Sequence, residues 1–219
     1  MIDVRLNAIV DPERANGRAL GELARLVVAG GATLIQLRDK LGSTRRMIAE
    51  ARAVKAALAG SGAPLVVNDR VDVALAAGAD GVHVGQDDMP AADARRLLGP
   101  SAVIGLSIKT IAEARAAPLD ALDYVCVGGV FVTTSKETTA AAIGLAGMKT
   151  ILDVLRARGR DFPIGAIAGI DETNAGEVVT AGADGVAVIS ALSLTPDPAG
   201  AARRLRGIVD RSLHARGAP

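Results

Sequence analysis

Aromatic side chains are nearly missing from this chain. Its 219 residues include no Trp, one Tyr and two Phe. That leaves no platform on which successive bases could stack, so a single-stranded nucleic acid is not an expected partner. Charge of one sign is missing too. Twenty-five Lys and Arg face 24 Asp and Glu, and the net charge of +1 gives no electrostatic case for duplex nucleic acid or an anionic membrane surface. Cys126 is the sole cysteine, which excludes an intrachain disulfide. It sits in the apolar run YVCVG without a cationic neighbour to activate it, and reads as a small core residue. No run of about 18 uninterrupted apolar residues is present, so no membrane span is expected. The N-terminus lacks a basic segment followed by an apolar stretch, so a signal peptide is not expected and the default location is cytoplasmic.

What the chain does have is Ala, Val, Leu and Ile for a large core, and 25 Gly for tight turns. It also has an internal repeat. AGGATLIQLR (29–38), AGADGVHVGQ (77–86), PLDALDYVCVGG (118–129) and AGADGVAVIS (181–190) share one grammar: a helix ends, a small residue turns the chain, and a short apolar strand begins. Runs such as VHV and VAVI, without polar alternation, suit parallel strands covered on both faces. The spacing predicts strands near 6–10, 33–37, 64–68, 81–85, 103–107, 123–128, 163–168 and 185–189. It predicts helices near 14–28, 43–59, 71–77, 90–98, 111–117, 144–158, 173–181 and 199–214. Ser43 and Thr173 are the expected N-caps, and Pro90 suits a first helical turn. Met47, Val54 and Leu58 form the inward face of the second helix, with Arg45, Arg46, Glu50, Arg52 and Lys55 outward. Eight strand–helix pairs over residues 1–219 predict a single (β/α)8 barrel, an α/β fold with its active site at the C-terminal ends of the strands. One stretch breaks the rhythm. VTTSKETTAAAIG (132–144) follows the sixth strand, and a loop of this length at that face reads as a lid, with Gly144 as a hinge.

The strand ends carry the chemistry. Gln36, Arg38 and Lys40 alternate past strand two, which places them on one side of an extended chain. The competing reading is a surface ion-pair cluster with Asp39. Asn68 and Asp69 end strand three, and Asp87 and Asp88 follow strand four. Carboxylates at adjacent strand tips can share a cation such as Mg²⁺, which takes one or two carboxylates and substrate phosphates. The competing reading is that each Asp caps a helix. His83 lies within a strand and reads as a satisfied interior residue, with a His-based metal site not expected. Ser107 ends strand five. Thr133, Ser135 and Lys136 follow strand six, and Gly169, Ile189 and Ser190 end strands seven and eight, the commonest phosphate site of such barrels. Two anion sites in one mouth, one metal-assisted and one built from backbone N–H groups, suit two phosphorylated substrates joined with loss of diphosphate.

At these residues the sequence resembles the thiamine-phosphate synthase family over nearly its whole length. The shared motifs are QLRDK, Asn68-Asp69, HVGQDD, Ser107, Thr133-Thr134-Ser135-Lys136, AGI at 168–170 and Ile189-Ser190. The resemblance implies that Gln36, Arg38, Lys40, Asn68, Ser107 and Lys136 bind the pyrimidine diphosphate. Of these, Arg38, Lys40, Ser107 and Lys136 would assist departure of the leaving group. It implies Mg²⁺ on Asp69 and Asp88, and the thiazole phosphate on Thr133, Ser135, Gly169, Ile189 and Ser190. The implied reaction joins hydroxymethylpyrimidine diphosphate to thiazole phosphate by loss of diphosphate and capture of the resulting cation by the thiazole nitrogen. It needs no protein nucleophile, in keeping with a sequence in which no Ser-His or Cys-His pair stands out. Four departures are notable. The family's GPIFPT reads GGVFVT at 128–133, replacing prolines by Gly129 and Val132; its GGI begins with Ala168; Lys109 stands where a His is frequent; and the first strand lacks the usual aromatic. A TenI-like thiazole tautomerase and a non-catalytic paralogue that binds thiamine intermediates are the alternatives. Lys109 and the intact Arg38, Lys40, Asp69, Asp88 and Lys136 weigh against the tautomerase. Barrel helices can be bare or covered, which leaves a homo-oligomer open.

Overall fold

In the computed structural model, which describes residues 1–133, 141–158 and 161–217, the chain closes a ring of eight parallel strands in sequence order. The strands are β1 (Leu6–Val10), β2 (Leu34–Leu37), β3 (Leu65–Asn68), β4 (Gly81–Val84), β5 (Val103–Ile108), β6 (Tyr124–Val127), β7 (Ile164–Ile167) and β8 (Gly185–Val188). The helices outside them are α1 (Leu20–Ala29), α2 (Thr44–Ala57), α3 (Val71–Ala77), α4 (Ala91–Leu98), α5 (Ile111–Ala116), α6 (Gly144–Arg156), α7 (Ala175–Thr180), α8 (Ser190–Ser193) and α9 (Pro198–Ala215).

The near-continuous burial of the strands has two causes, one on each face. In β2, Ile35 and Leu37 join the apolar layer between sheet and helices, while Leu34 points into the barrel with Val66 and Tyr124. In β6, Val125 and Val127 take the helix side, and Cys126 joins Ile9 and Ala187 inside. Burial raises the Cys126 thiol to about 12, so it stays a neutral core group. The alternation also fixes which polar residues look inward: Gln36, Asn68, His83 and Ser107 share the inner face.

Most predicted elements lie within two residues of the observed ones, and Ser43 caps α2, accepting from the Arg46 N–H at 3.4 Å. Met47, Val54 and Leu58 are buried as expected. The first predicted helix, from 14, is a correction. Pro12–Arg14 forms a 3-10 turn, then Asn16 (φ 51°) and Gly17 (φ 77°) reverse the chain, and α1 starts only at Leu20. Left-handed conformations at Asn-Gly are a turn signal that helical spacing overrode. Thr173 is also a correction. It does not cap α7; its N–H and hydroxyl both engage Asp171, and Asn174 holds the cap position. Helix α8 was not predicted, because four residues are too few to show a period.

Candidate active site

The residues of the second-strand motif emerge from the barrel in order. Gln36 is 3% exposed, and the Arg38 and Lys40 side chains reach 15% and 44%. They do not pair with Asp39. That residue folds the loop instead, its Oδ1 accepting from the Leu41 and Gly42 N–H groups at 3.0 and 2.7 Å. A Cβ on Gly42 would lie 2.0 Å from Asp39 Oδ2, so the turn needs the glycine. Arg38 pairs with Asp11, a carboxylate only 1% exposed, and Lys40 pairs with Asp69. Asp11 was missed in the sequence. The β1–β2 register ends at Val10 opposite Leu37, so the next residues, Asp11 and Arg38, fall side by side. The acid just past strand one, in IVDPE, was the available signal.

Neither Asp69 nor Asp88 caps a helix. The cap positions of α3 and α4 belong to Arg70 and Pro90, without side-chain hydrogen bonds. Asp69 is instead held at φ 62°, a left-handed conformation uncommon among non-glycine residues and one that Asp tolerates better than most. Asp88 turns back to accept from the Gly85 N–H at 2.7 Å. Burial and the neighbouring Asp69 carboxyl, within hydrogen-bonding reach, raise the Asp88 carboxyl above its ordinary value, and the Gly85 N–H and Lys40 only partly oppose this. Two crowded carboxylates beside one ammonium group are short of positive charge. That donor set fits Mg²⁺, which takes few carboxylates and fills its octahedron with water and phosphate oxygens. Among the described residues no group of three or more His, Cys, Asp or Glu side chains could hold a metal alone, so ligand oxygens would have to complete the shell.

A serine–histidine pair does exist, contrary to expectation. His83 Nε2 lies 2.8 Å from Ser107 Oγ, and His83 Nδ1 lies 2.9 Å from the Tyr124 hydroxyl. The sequence hid it, because its members come from β4, β5 and β6. Gln86 Nε2 also donates to the Ser107 carbonyl at 2.7 Å, fixing the end of β5.

The opposite side of the mouth is shaped by backbone. Gly129 has φ 74°, which a proline cannot adopt, so the loss of the family's proline here changes the turn itself. Ala168 has φ 96° and Gly169 φ 64°. A Cβ on Gly169 would meet Val132 O at 2.4 Å, because the Phe131 N–H donates to Ala168 O across the gap. Asn174 Nδ2 holds the Gly169 carbonyl at 2.8 Å. After β8 the chain passes directly into α8 at Ser190, the short extra helix found at phosphate sites of such barrels. Thr133 lies at the edge of the described residues, and Ser135 and Lys136 lie outside them, as does most of the expected lid. Beyond it, the Ile143 and Gly144 N–H groups donate to Gly129 O and Val130 O, both at 2.9 Å, tying the far end of the loop to the exit of β6.

The fold and this mouth define a (β/α)8-barrel enzyme equipped for anionic ligands. The chain belongs to the thiamine monophosphate synthase family, whose sequence pattern it matches over residues 6–192. It is 51% identical over 215 residues to the thiamine-phosphate synthase of Agrobacterium fabrum, covering 98% of each chain. The thiamine-phosphate synthase of Chloroflexus aurantiacus is 46% identical, with 95% of this chain and 94% of that one covered. A solved thiamine phosphate pyrophosphorylase from Pyrococcus furiosus superposes with a TM-score of 0.84 at 37% identity, covering 97% of this chain and 98% of the other. A 3-hexulose-6-phosphate synthase at 18% identity and a TM-score of 0.63 shares the fold alone.

Proposed function

We propose that this chain is a thiamine-phosphate synthase, joining hydroxymethylpyrimidine diphosphate to thiazole phosphate with release of diphosphate. The observation that carries this is the pairing of Asp69 with Asp88 beside Lys40 and Arg38, within a chain about half identical to synthases over its full length. A tautomerase would have no use for a site so organised for diphosphate.

In this reading Gln36 and Asn68, inside the barrel mouth, meet the mixed donor and acceptor edges of the pyrimidine. Arg38, Lys40, Ser107 and Lys136 take the diphosphate. Asp69 and Asp88 would hold Mg²⁺, which when bound supplies further positive charge for the leaving group. The bond between the pyrimidine methylene carbon and oxygen breaks, its electron pair leaving on diphosphate. Preorganised cationic side chains favour that step because charge grows on the oxygens they face. The thiazole nitrogen then donates its pair to the methylene carbon. Thr133, Ser135, Gly169, Ile189 and Ser190 hold the thiazole phosphate in line, largely through backbone N–H groups. The test is diphosphate release from purified protein with both substrates and Mg²⁺, repeated with EDTA and with each substrate omitted. Release that needs both substrates and stops with EDTA is expected. Binding without release would return the weight to a tautomerase or a non-catalytic binder.

A further inference from the structure

The Tyr124–His83–Ser107 chain has the spacing of a nucleophile and its base, yet its polarity runs the other way. In a serine nucleophile the hydroxyl gives its proton to the imidazole, and the far ring nitrogen donates to a carboxylate. Here the far partner is a phenol. Tyr124 is 1% exposed, and its hydroxyl has one hydrogen-bonding neighbour among the described residues, His83 Nδ1. If Nδ1 carried the proton, the tyrosine would accept, and its own O–H would be a buried donor with no acceptor. Native structures leave a buried donor without an acceptor more rarely than they leave a lone pair unused. If the tyrosine donates, Nδ1 is the bare nitrogen and only a lone pair goes unused. A neutral imidazole has one N–H, so Nε2 must then carry it. Nε2–H donates to Ser107 Oγ, and the serine proton has to point elsewhere.

We propose that Tyr124 and His83 are positioning residues that turn Ser107 into a fixed hydrogen-bond donor toward an anionic oxygen held at the mouth of strands two to five. This rests on the diphosphate reading above. Three further features agree with it. Burial lowers His83 to about 4, which leaves it neutral and a poor acceptor for a serine proton. Burial also raises the Tyr124 phenol well above its ordinary value, so it keeps its proton to give. And β5 makes room for the pair: a Cβ on Gly105 would lie 2.2 Å from the Tyr124 ring and 2.5 Å from His83 Nδ1. Both side chains are thereby held in the inner layer below Ser107. A hydroxyl committed to donating suits diphosphate, whose oxygens only accept.

The tautomer can be read directly. In protein labelled with ¹⁵N-histidine, with His214→Gln removing the only other histidine signal, Nε2 of His83 is expected to be protonated and Nδ1 bare. A protonated Nδ1 overturns the proposal, whatever the protein catalyses. Calorimetry with inorganic diphosphate and Mg²⁺ tests the ligand side. Tyr124→Phe should weaken binding roughly five- to tenfold in the parent and less than about twofold in a Ser107→Ala background, because its effect passes through one hydrogen bond. Equal losses in both backgrounds, or none in the parent, overturn it. A fluorophosphonate should leave Ser107 unlabelled; rapid labelling would mean the opposite polarity. If Tyr124→Phe does not fold, the tautomer in the parent still decides. Parent protein that binds no diphosphate overturns the functional reading itself, and the tautomer separates the two failures.

Discussion

The two sides of the barrel mouth are built by different means. From β2 to β5 the site is made of side chains: Arg38 on Asp11, Lys40 on Asp69, Asp69 beside Asp88, Ser107 on His83. From β6 to β8 the described residues shape it with backbone: Gly129, Ala168 and Gly169 at positive φ, a carbonyl held by Asn174, and a four-residue helix. Charged side chains organised by mutual pairing suit a multiply charged leaving group whose charge changes during reaction. Oriented N–H groups suit a phosphate monoester that has only to be held. The first kind of site fails when one charge is removed. The second fails when a turn is reshaped.

Breaking the side-chain half should have the largest effect. Asp69→Ala and Asp88→Ala should each lower turnover by roughly a thousandfold, the scale of a lost electrostatic stabiliser, with partial recovery at high Mg²⁺ in steady-state kinetics. Normal rates in both would remove the metal assignment. Asp11→Ala comes next. It strands the Arg38 guanidinium, 15% exposed, and should cost about 3 kcal/mol in urea unfolding while raising KM for the pyrimidine diphosphate. Stability unchanged within error would make the pair incidental.

Acid tests the same half from beneath. His83 is lowered to about 4 in the folded chain against 6.5 free, so between those values the unfolded chain takes up the proton first. The contribution of His83 is therefore complete above pH 6.5 and lost as pH falls toward 4, roughly 3 kcal/mol in all. The difference in unfolding free energy between parent and His83→Asn should show that slope; a flat difference would mean that His83 is not held neutral.

The smallest effects belong to the backbone half, and they should have opposite signs. Ala168→Gly relieves a left-handed alanine and should stabilise by about 1 kcal/mol, while Gly129→Ala should cost a similar amount. If the Ala168 methyl crowds the cradle, Ala168→Gly also tightens thiazole phosphate binding in calorimetry. A stabilising Gly129→Ala would contradict the strain argument.

The same contrast decides what could be read from the chain. Barrel closure was legible because strands covered on both faces leave unbroken apolar runs, and the acids and bases stood at their ends. Asp11 obeys that rule and was passed over because its partner, Arg38, is a neighbour only through the β1–β2 register. The Ser107–His83–Tyr124 chain crosses three strands, and no spacing in one dimension announces it. The strand seven and eight side was legible only as motif, since the residue type at Ala168 gives no hint of φ 96°. Sequence encodes side-chain chemistry explicitly and backbone conformation only through glycine, proline and a few others.

Gly105 leaves a mark on how this chain can diverge. Any larger residue there strikes the Tyr124 ring at 2.2 Å and His83 Nδ1 at 2.5 Å, so it becomes tolerable only where both side chains have given way. Shortening Tyr124 first releases His83, and with it the heading of the Ser107 proton. Glycine at 105 is thus tied to the pair it accommodates: a side chain there is incompatible with Tyr124 and His83 as they stand, and changing it without them breaks the chain that ends at Ser107.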